Sequence, residues 1–220
     1  MTFGREPPTK PHDMNRSDAK LHPVYFIHRR SLAVGMGYKT TTDPFELRAT
    51  ATVDITGSSD STTVEIDTSL DTLNREVLLV WEADFQFRDL PEGAIASLAQ
   101  MATGEKLIIQ SDLNTQAGFF DLNDQEYIAG HQIQMISSGG GAANPVFNFY
   151  ESGNPDSRSM ISRDKIPLAI VTAQSIHFRT AFSSTQAIAT SEPFVANTRV
   201  MCQRAKADAD TYAALVTGLL

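Results

Sequence analysis

Glu82 and Asp84 stand two residues apart in the stretch E-V-L-L-V-W-E-A-D-F-Q-F-R at 76–88, and they give the sharpest enzymatic reading in the chain. Alternate residues of a strand share one face. Two carboxyl groups held about 5 Å apart can divide the roles of nucleophile and general acid in retaining cleavage of a sugar bond. The next position on that face is Gln86, and an amide cannot supply a catalytic proton. Without an acid there, Glu82 and Asp84 read as the solvated face of an alternating strand.

The run Glu82-Ala83-Asp84-Phe85-Gln86 resembles the E-x-D-x-x-E or E-x-D-x-E pattern of β-sandwich glycoside hydrolases of the laminarinase type. That resemblance implies a retaining glycosidase, and it stops at the acid/base glutamate, whose place is held by Gln86 or Phe87. An enzyme is not expected.

Other candidates give less. The loop Asp121-Leu122-Asn123-Asp124-Gln125-Glu126 offers oxygen ligands but lacks the glycine and distal glutamate of a calcium loop, so it reads as a polar turn. His12, His22, His28, His131 and His177 show no metal-ligand spacing, and His131 and His177 fall in strand-like runs where a structural role is common. Gly139-Gly140-Gly141 is followed by Ala-Ala-Asn-Pro, which is a loop and not a phosphate cradle. The single cysteine, Cys202, permits no intrachain disulfide and reads as a small core residue. No metal or cofactor is expected.

Six basic residues near the N-terminus remain: Arg5, Lys10, Arg16, Lys20, Arg29 and Arg30. They could touch phosphates of a nucleic acid or of a membrane surface through salt-dependent contacts. Residues 1–50 hold eight cations against five acids, a balance of +3 within a chain of −8, which leaves −11 for the rest. A mildly basic arm therefore precedes an acidic body. With 41% hydrophobic and 20% charged residues, 220 residues are ample for one large core. No apolar run reaches the roughly 18 residues of a membrane span, and the first residues lack a signal-peptide core, so cytoplasmic synthesis is the expectation.

The elements that would position these residues are strands. Residues 1–39, with Pro7, Pro8, Pro11 and Pro23, read as an extended arm; Pro23-Val24-Tyr25-Phe26-Ile27 is its one apolar patch, an anchoring strand or a dock on a neighbour. Residues 40–220 read as one β domain. Residues 45–56 alternate, Gly57-Ser58-Ser59-Asp60 reads as a turn, and 62–66 resumes, predicting a hairpin at about 48–67. In the long run 76–88 every odd position from Val77 to Phe87 is apolar, which predicts a central strand with Trp81, Phe85 and Phe87 in the core. Residues 94–102 predict a turn or two of helix. Strands follow at 107–109, 127–136, 146–150, 166–182 with a bend or a bulge near Thr172 and Gln174, and 194–205. A short helix at about 208–218, capped by Asp208 or Asp210, closes the chain with Tyr212, Leu215, Val216 and Leu219 on one stripe. Eight or nine strands, few helices and no repeat favour an all-β fold, an antiparallel two-sheet jelly-roll sandwich.

A proline-containing basic arm, one β-sandwich of about 180 residues, long loops at 137–145 and 151–165, and a terminal helix together resemble a viral coat protein of the single jelly-roll type. The resemblance implies a structural subunit of an icosahedral capsid shell in a virion. Its partners would be copies of itself and other capsid proteins, with the arm inside the shell, swapped between neighbours, or touching the genome or an internal membrane. The competing reading is a carbohydrate-binding or adhesion module, which would need an exposed aromatic platform.

Overall fold

The computed structural model describes residues 37–88, 101–118, 120, 124–139, 146–153, 167–188 and 193–217. They form ten strands: β1 (Tyr38–Thr40), β2 (Phe45–Asp54), β3 (Gly57–Asp67), β4 (Glu76–Phe87), β5 (Lys106–Asn114), β6 (Tyr127–Gly139), β7 (Val146–Gly153), β8 (Ala169–Val171), β9 (Ser175–Ile188) and β10 (Pro193–Ala207). One helix, α1 (Ala209–Val216), follows. All ladders are antiparallel. The first sheet runs β2-β10-β4-β8, with β1 beside β2 on the same edge of β10; the second runs β3-β9-β5-β6-β7. Successive strands swap sheets at 2–3, 3–4, 4–5, 7–8, 8–9 and 9–10, and this weave, β2-β10-β4-β8 against β3-β9-β5-β6, is a jelly roll.

The swap corrects two expectations. β2 and β3 are not a hairpin: β2 pairs with β10 and β3 with β9, in opposite sheets. The turn between them is only Ile55-Thr56, because Ile55 is fully buried between the sheets while Gly57, at φ 77°, already starts the next strand. Likewise the run at 166–182 does not bend but reverses, β8 pairing with β4 in one sheet and β9 with β3 and β5 in the other. The helix expected at 94–102 lies almost wholly outside the described residues. Tyr38 and Lys39, counted with the arm above, pair with Ala207 and Lys206 as part of the first sheet.

The core fills the space between the sheets. Phe178, Phe182, Phe194, Leu107, Leu113, Ile176 and Val53 are buried, and the Phe85 and Phe178 rings stack across the gap at 6.3 Å between centroids. Fully burying each such side chain contributes about 1.5–3 kcal/mol.

The organising strand, β4, does not present one face throughout. Its register to β10 shifts so that Glu82 opposes Met201 while Val80 opposes Cys202, leaving Trp81 as the extra residue of a β-bulge. After the bulge Ala83, Phe85 and Phe87 face the core; before it, Leu78 and Val80 do. Val77, Leu79 and Trp81 therefore lie on the outer face of the sheet, where Val77 and Leu79 form a second, small cluster with Ala205 and Ala207. Trp81 packs at its margin and is not a core residue, contrary to the unbroken alternation. Tyr212 and Leu215 of α1 fold over this cluster, which is why the helix sits there. Its N-cap is Asp208, whose carboxylate accepts from Thr211 N–H at 2.8 Å.

Candidate assembly surface

Past the bulge, the outer face of the first sheet becomes a polar lattice built by cross-strand register. Arg48, Arg199 and Asp84 stand opposite one another on β2, β10 and β4; Glu46, Met201 and Glu82 form the next row, and Thr50, Asn197 and Gln86 the one beyond. Arg199 Nε donates to Asp84 Oδ2 at 3.1 Å, its Nη2 closes on the same oxygen, and its Nη1 lies 3.7 Å from Glu46. Arg48 Nε donates to Glu46 at 3.0 Å, and Thr50 Oγ1 donates to Asn197 Oδ1 at 2.8 Å. The hydrogen bond from Arg48 is the main cause that holds the Glu46 carboxyl below its ordinary range; the one Arg199 donates to Asp84 holds the Arg199 guanidinium above its own.

This settles where the carboxylate pair lies. Glu82 and Asp84 do share an outward face, as their spacing predicts, but Asp84 is committed to Arg199 and Gln86 stands opposite Asn197. No proton donor completes the pair within this lattice. Among the described residues no group of three or more His, Cys, Asp or Glu side chains is placed to hold a metal ion. Asp121–Asn123 fall outside them, as do Arg5, Lys10, Arg16, Lys20, Arg29 and Arg30, so the structure neither gathers nor separates the basic arm residues.

The remaining chemical candidates are structural. Cys202 is wholly buried, and burial pushes its thiol up to about 12, which leaves no thiolate near neutral pH. His131 is buried with its ring 5.3 Å from that of Phe87. His177 pairs in register with Glu65 on one side and Asn114 on the other.

One buried charged pair was not foreseen. Asp112 on β5 and Arg179 on β9 are directly opposed in register, with Arg179 Nη1 2.5 Å from Asp112 Oδ2 and both side chains almost fully buried. By alternation they lie on the outer face of the second sheet, since Leu113 and Phe178 beside them face the core. On the core side the neighbouring pair Ser111 and Thr180 share a hydroxyl–hydroxyl hydrogen bond of 2.7 Å. Burial raises the Asp112 carboxyl above its ordinary value despite the guanidinium, and burial lowers Arg179. Asn114 is fully buried too, and its amide makes no hydrogen bond at normal geometry. Nothing in the spacing of residues 112 and 179 marks them as partners; only the strand order does.

The opposite character appears at the end of the sandwich where β3 passes to β4. A 3-10 turn at Thr72–Asn74 holds Leu73 95% exposed. Beside it Tyr38, Lys39, Arg75, Lys206 and Ala207 line an open depression of about 770 Å³. Among the described residues no helix is long and apolar enough to cross a membrane.

No family model matches the chain, and no curated protein sequence does. Solved structures that align with it include VP1 of Trichodysplasia spinulosa-associated polyomavirus in complex with GM1 oligosaccharide, at 5% identity over 79% of this chain and 99% of that one, with a TM-score of 0.40. Merkel cell polyomavirus VP1 in complex with GD1a oligosaccharide aligns at 4% identity over 78% and 99%, with a TM-score of 0.36. These neighbours are capsid proteins. At such distances they carry no weight for function, and the fold rests on the strand order itself.

Proposed function

We propose that this chain is a structural subunit that packs with copies of itself into the capsid shell of a virion. The observation that carries the proposal is the strand order: two four-strand halves interleaved as a jelly roll, plus edge strands, with a polar outer lattice on the first sheet. Its arginines and carboxylates pair with one another within and between the rows, which suits the wet, polar contacts of subunit packing better than the concave, apolar lining of a small-molecule site. Trp81 is half-buried against the cluster of Val77, Leu79, Ala205 and Ala207, so it is not an open stacking platform for sugars. The enzyme reading has no acid at Gln86 to work with.

In this reading the arm, with Arg5, Lys10, Arg16, Lys20, Arg29 and Arg30, reaches a neighbouring subunit or touches the genome or an internal membrane, and other capsid proteins share the lattice. The subunit is made in the host cytoplasm. Purified protein viewed by negative-stain microscopy at physiological salt is expected to show closed particles or their ring-shaped parts. A monodisperse monomer in light scattering across the micromolar range sinks the proposal.

A further inference from the structure

The side of the sandwich between β2 and β3 is sealed along one half and open along the other. Among the described residues each of these strands is paired on one flank only, β2 with β10 and β3 with β9. Near the link that joins them, Ala51, Val53 and Ile55 are sealed at 1% exposure or less, and Thr62 Oγ1 donates to Thr52 O at 2.8 Å. Toward the other end, Phe45, Leu47 and Ala49 of β2 and Val64 of β3 pack against the core yet are only half-buried. The core therefore shows an apolar seam there. It is flanked by two strand edges, and the unpaired N–H and C=O groups of an edge accept an added strand.

The β3 side of the seam carries acids only. Between Arg48 and Arg75 the chain has no Lys or Arg and five acids, Asp54, Asp60, Glu65, Asp67 and Asp71. Glu65 and Asp67 stand exposed at the open end, and among the described residues no Lys or Arg lies within ion-pair distance of either. Arg204 lies over the Phe45 ring at 5.9 Å and spends its guanidinium on Thr68 O at 3.0 Å. Like charges opposite one another weaken a ladder, so this edge rejects a second β3 and admits a strand of opposite sign.

The arm has that character. Between Asp18 and Asp43 the chain has no acid and four cations, Lys20, Arg29, Arg30 and Lys39. Within this stretch Val24-Tyr25-Phe26-Ile27 has the β-branched and aromatic side chains that favour a strand, and His28-Arg29-Arg30 follows at once. The root of the arm lies at the open end of the seam. Tyr38 pairs with Ala207, Thr41 N–H donates to Arg204 O at 2.9 Å, and Arg204 reaches Thr68, one residue past β3. Residues 31–37 span at most about 25 Å when extended, enough to bring Arg30 back past Thr41 to the Asp67 end.

We propose that residues 24–30 lie in this seam of their own chain, Val24 to Ile27 covering Phe45, Leu47 and Val64, with Arg29 and Arg30 meeting Glu65 and Asp67. The seat closes the core within one copy, whether or not a shell forms. It leaves Arg5, Lys10, Arg16 and Lys20 for the partners named above.

The test uses the full chain. His28→Cys combined with Thr63→Cys is treated with a short bismaleimide, while Cys202, wholly buried, stays unmodified. A crosslink within one chain is expected, read from the peptide mass map of the monomer. Hydrogen exchange of β3 is the second measurement. Arg29→Glu with Arg30→Glu is expected to quicken exchange over residues 62–67 by about tenfold or more. Adding Glu65→Arg should recover part of that protection. The absence of an intrachain crosslink, or β3 exchange that ignores Arg29→Glu with Arg30→Glu, overturns the proposal. A crosslink found only between chains overturns it too, because the seat is then a neighbour's. So does a loss of single-stranded DNA binding in that double variant with β3 exchange unmoved, which assigns the arginines to nucleic acid. Particles that lack the intrachain crosslink keep the shell reading and end this one. A crosslinked monomer that never assembles does the reverse.

Discussion

Among the described residues two arginine–aspartate pairs bridge directly opposed strand positions, and they differ in little but water. Asp84–Arg199 joins β4 to β10 on the outer face of the first sheet, with Arg199 50% exposed. Asp112–Arg179 joins β5 to β9, with side-chain exposures of 1% and 4%. In the first, hydrogen bonds and charge shift Arg199 toward its ionised form. In the second, burial pushes both members toward their neutral forms, against the attraction between them. The chemistry is the same and the direction of the shift is opposite: the exposed pair is favoured in its charged form, whereas the buried pair is charged only against the cost of burial.

The largest effect should come from breaking the buried pair. Asp112→Ala removes the carboxylate that Arg179 Nη1 meets in a buried position, and removing one partner of a buried pair typically costs about 3–5 kcal/mol. For a chain of this size, that corresponds to a melting-temperature drop on the order of 10 °C in calorimetry. Asp112→Leu combined with Arg179→Met should recover most of the loss, since apolar replacement of a whole buried pair is often neutral or stabilising. A double variant as weak as the single would mean that the pair is not the source of the cost.

A smaller effect separates the pairs by pH. The folded-state value of Asp112 is raised, so the fold holds its proton more tightly than the unfolded chain does. The stability this group contributes is full below the ordinary aspartate value of about 3.9 and is lost as pH rises through the raised folded value. Asp112→Asn keeps the shape of the protonated acid and cannot ionise. The stability of the wild type relative to Asp112→Asn should therefore fall as pH increases from 3 to 7 in urea titrations. A gap that stays flat or moves the other way would show that Asp112 ionises without penalty.

These contrasts also explain what could be read in the sequence. The alternation in β2, β4 and β10 announced strands, and Phe194, Ala196, Val200 and Cys202 were placed inward as found. The weave was harder to see. A two-residue link at Ile55-Thr56 looks like a hairpin turn until β10 and β9 are known to claim its two strands. At Trp81 the alternation is unbroken in the letters, and only the apolar even positions Leu78 and Val80 hinted that the strand buries both faces. Asp84 was legible as an outward carboxylate because its own strand shows which way it points. Asp112 was not legible as a partner of Arg179, because their pairing depends on a register between residues 67 apart in the chain. The basic arm lies outside the described residues, so its role rests on composition.

The smallest effect belongs to the exposed lattice, and its sign opposes that of Asp112. The folded-state value of Glu46 is depressed, chiefly by the hydrogen bond from Arg48, with the nearby charges of Arg48 and Arg199 adding to it. Its contribution is therefore present above the ordinary glutamate value of about 4.3 and is lost as pH falls through the depressed folded value. The advantage of the wild type over Glu46→Gln should grow as pH rises from 2 to 6, and it should shrink when salt is raised to about 1 M, where the Debye length is near 3 Å. Because Glu46 is solvated, the change should sit close to the resolution of urea titration, as is usual for surface ion pairs. A Glu46→Gln effect that ignores salt would mean that the lattice is held by geometry and not by charge.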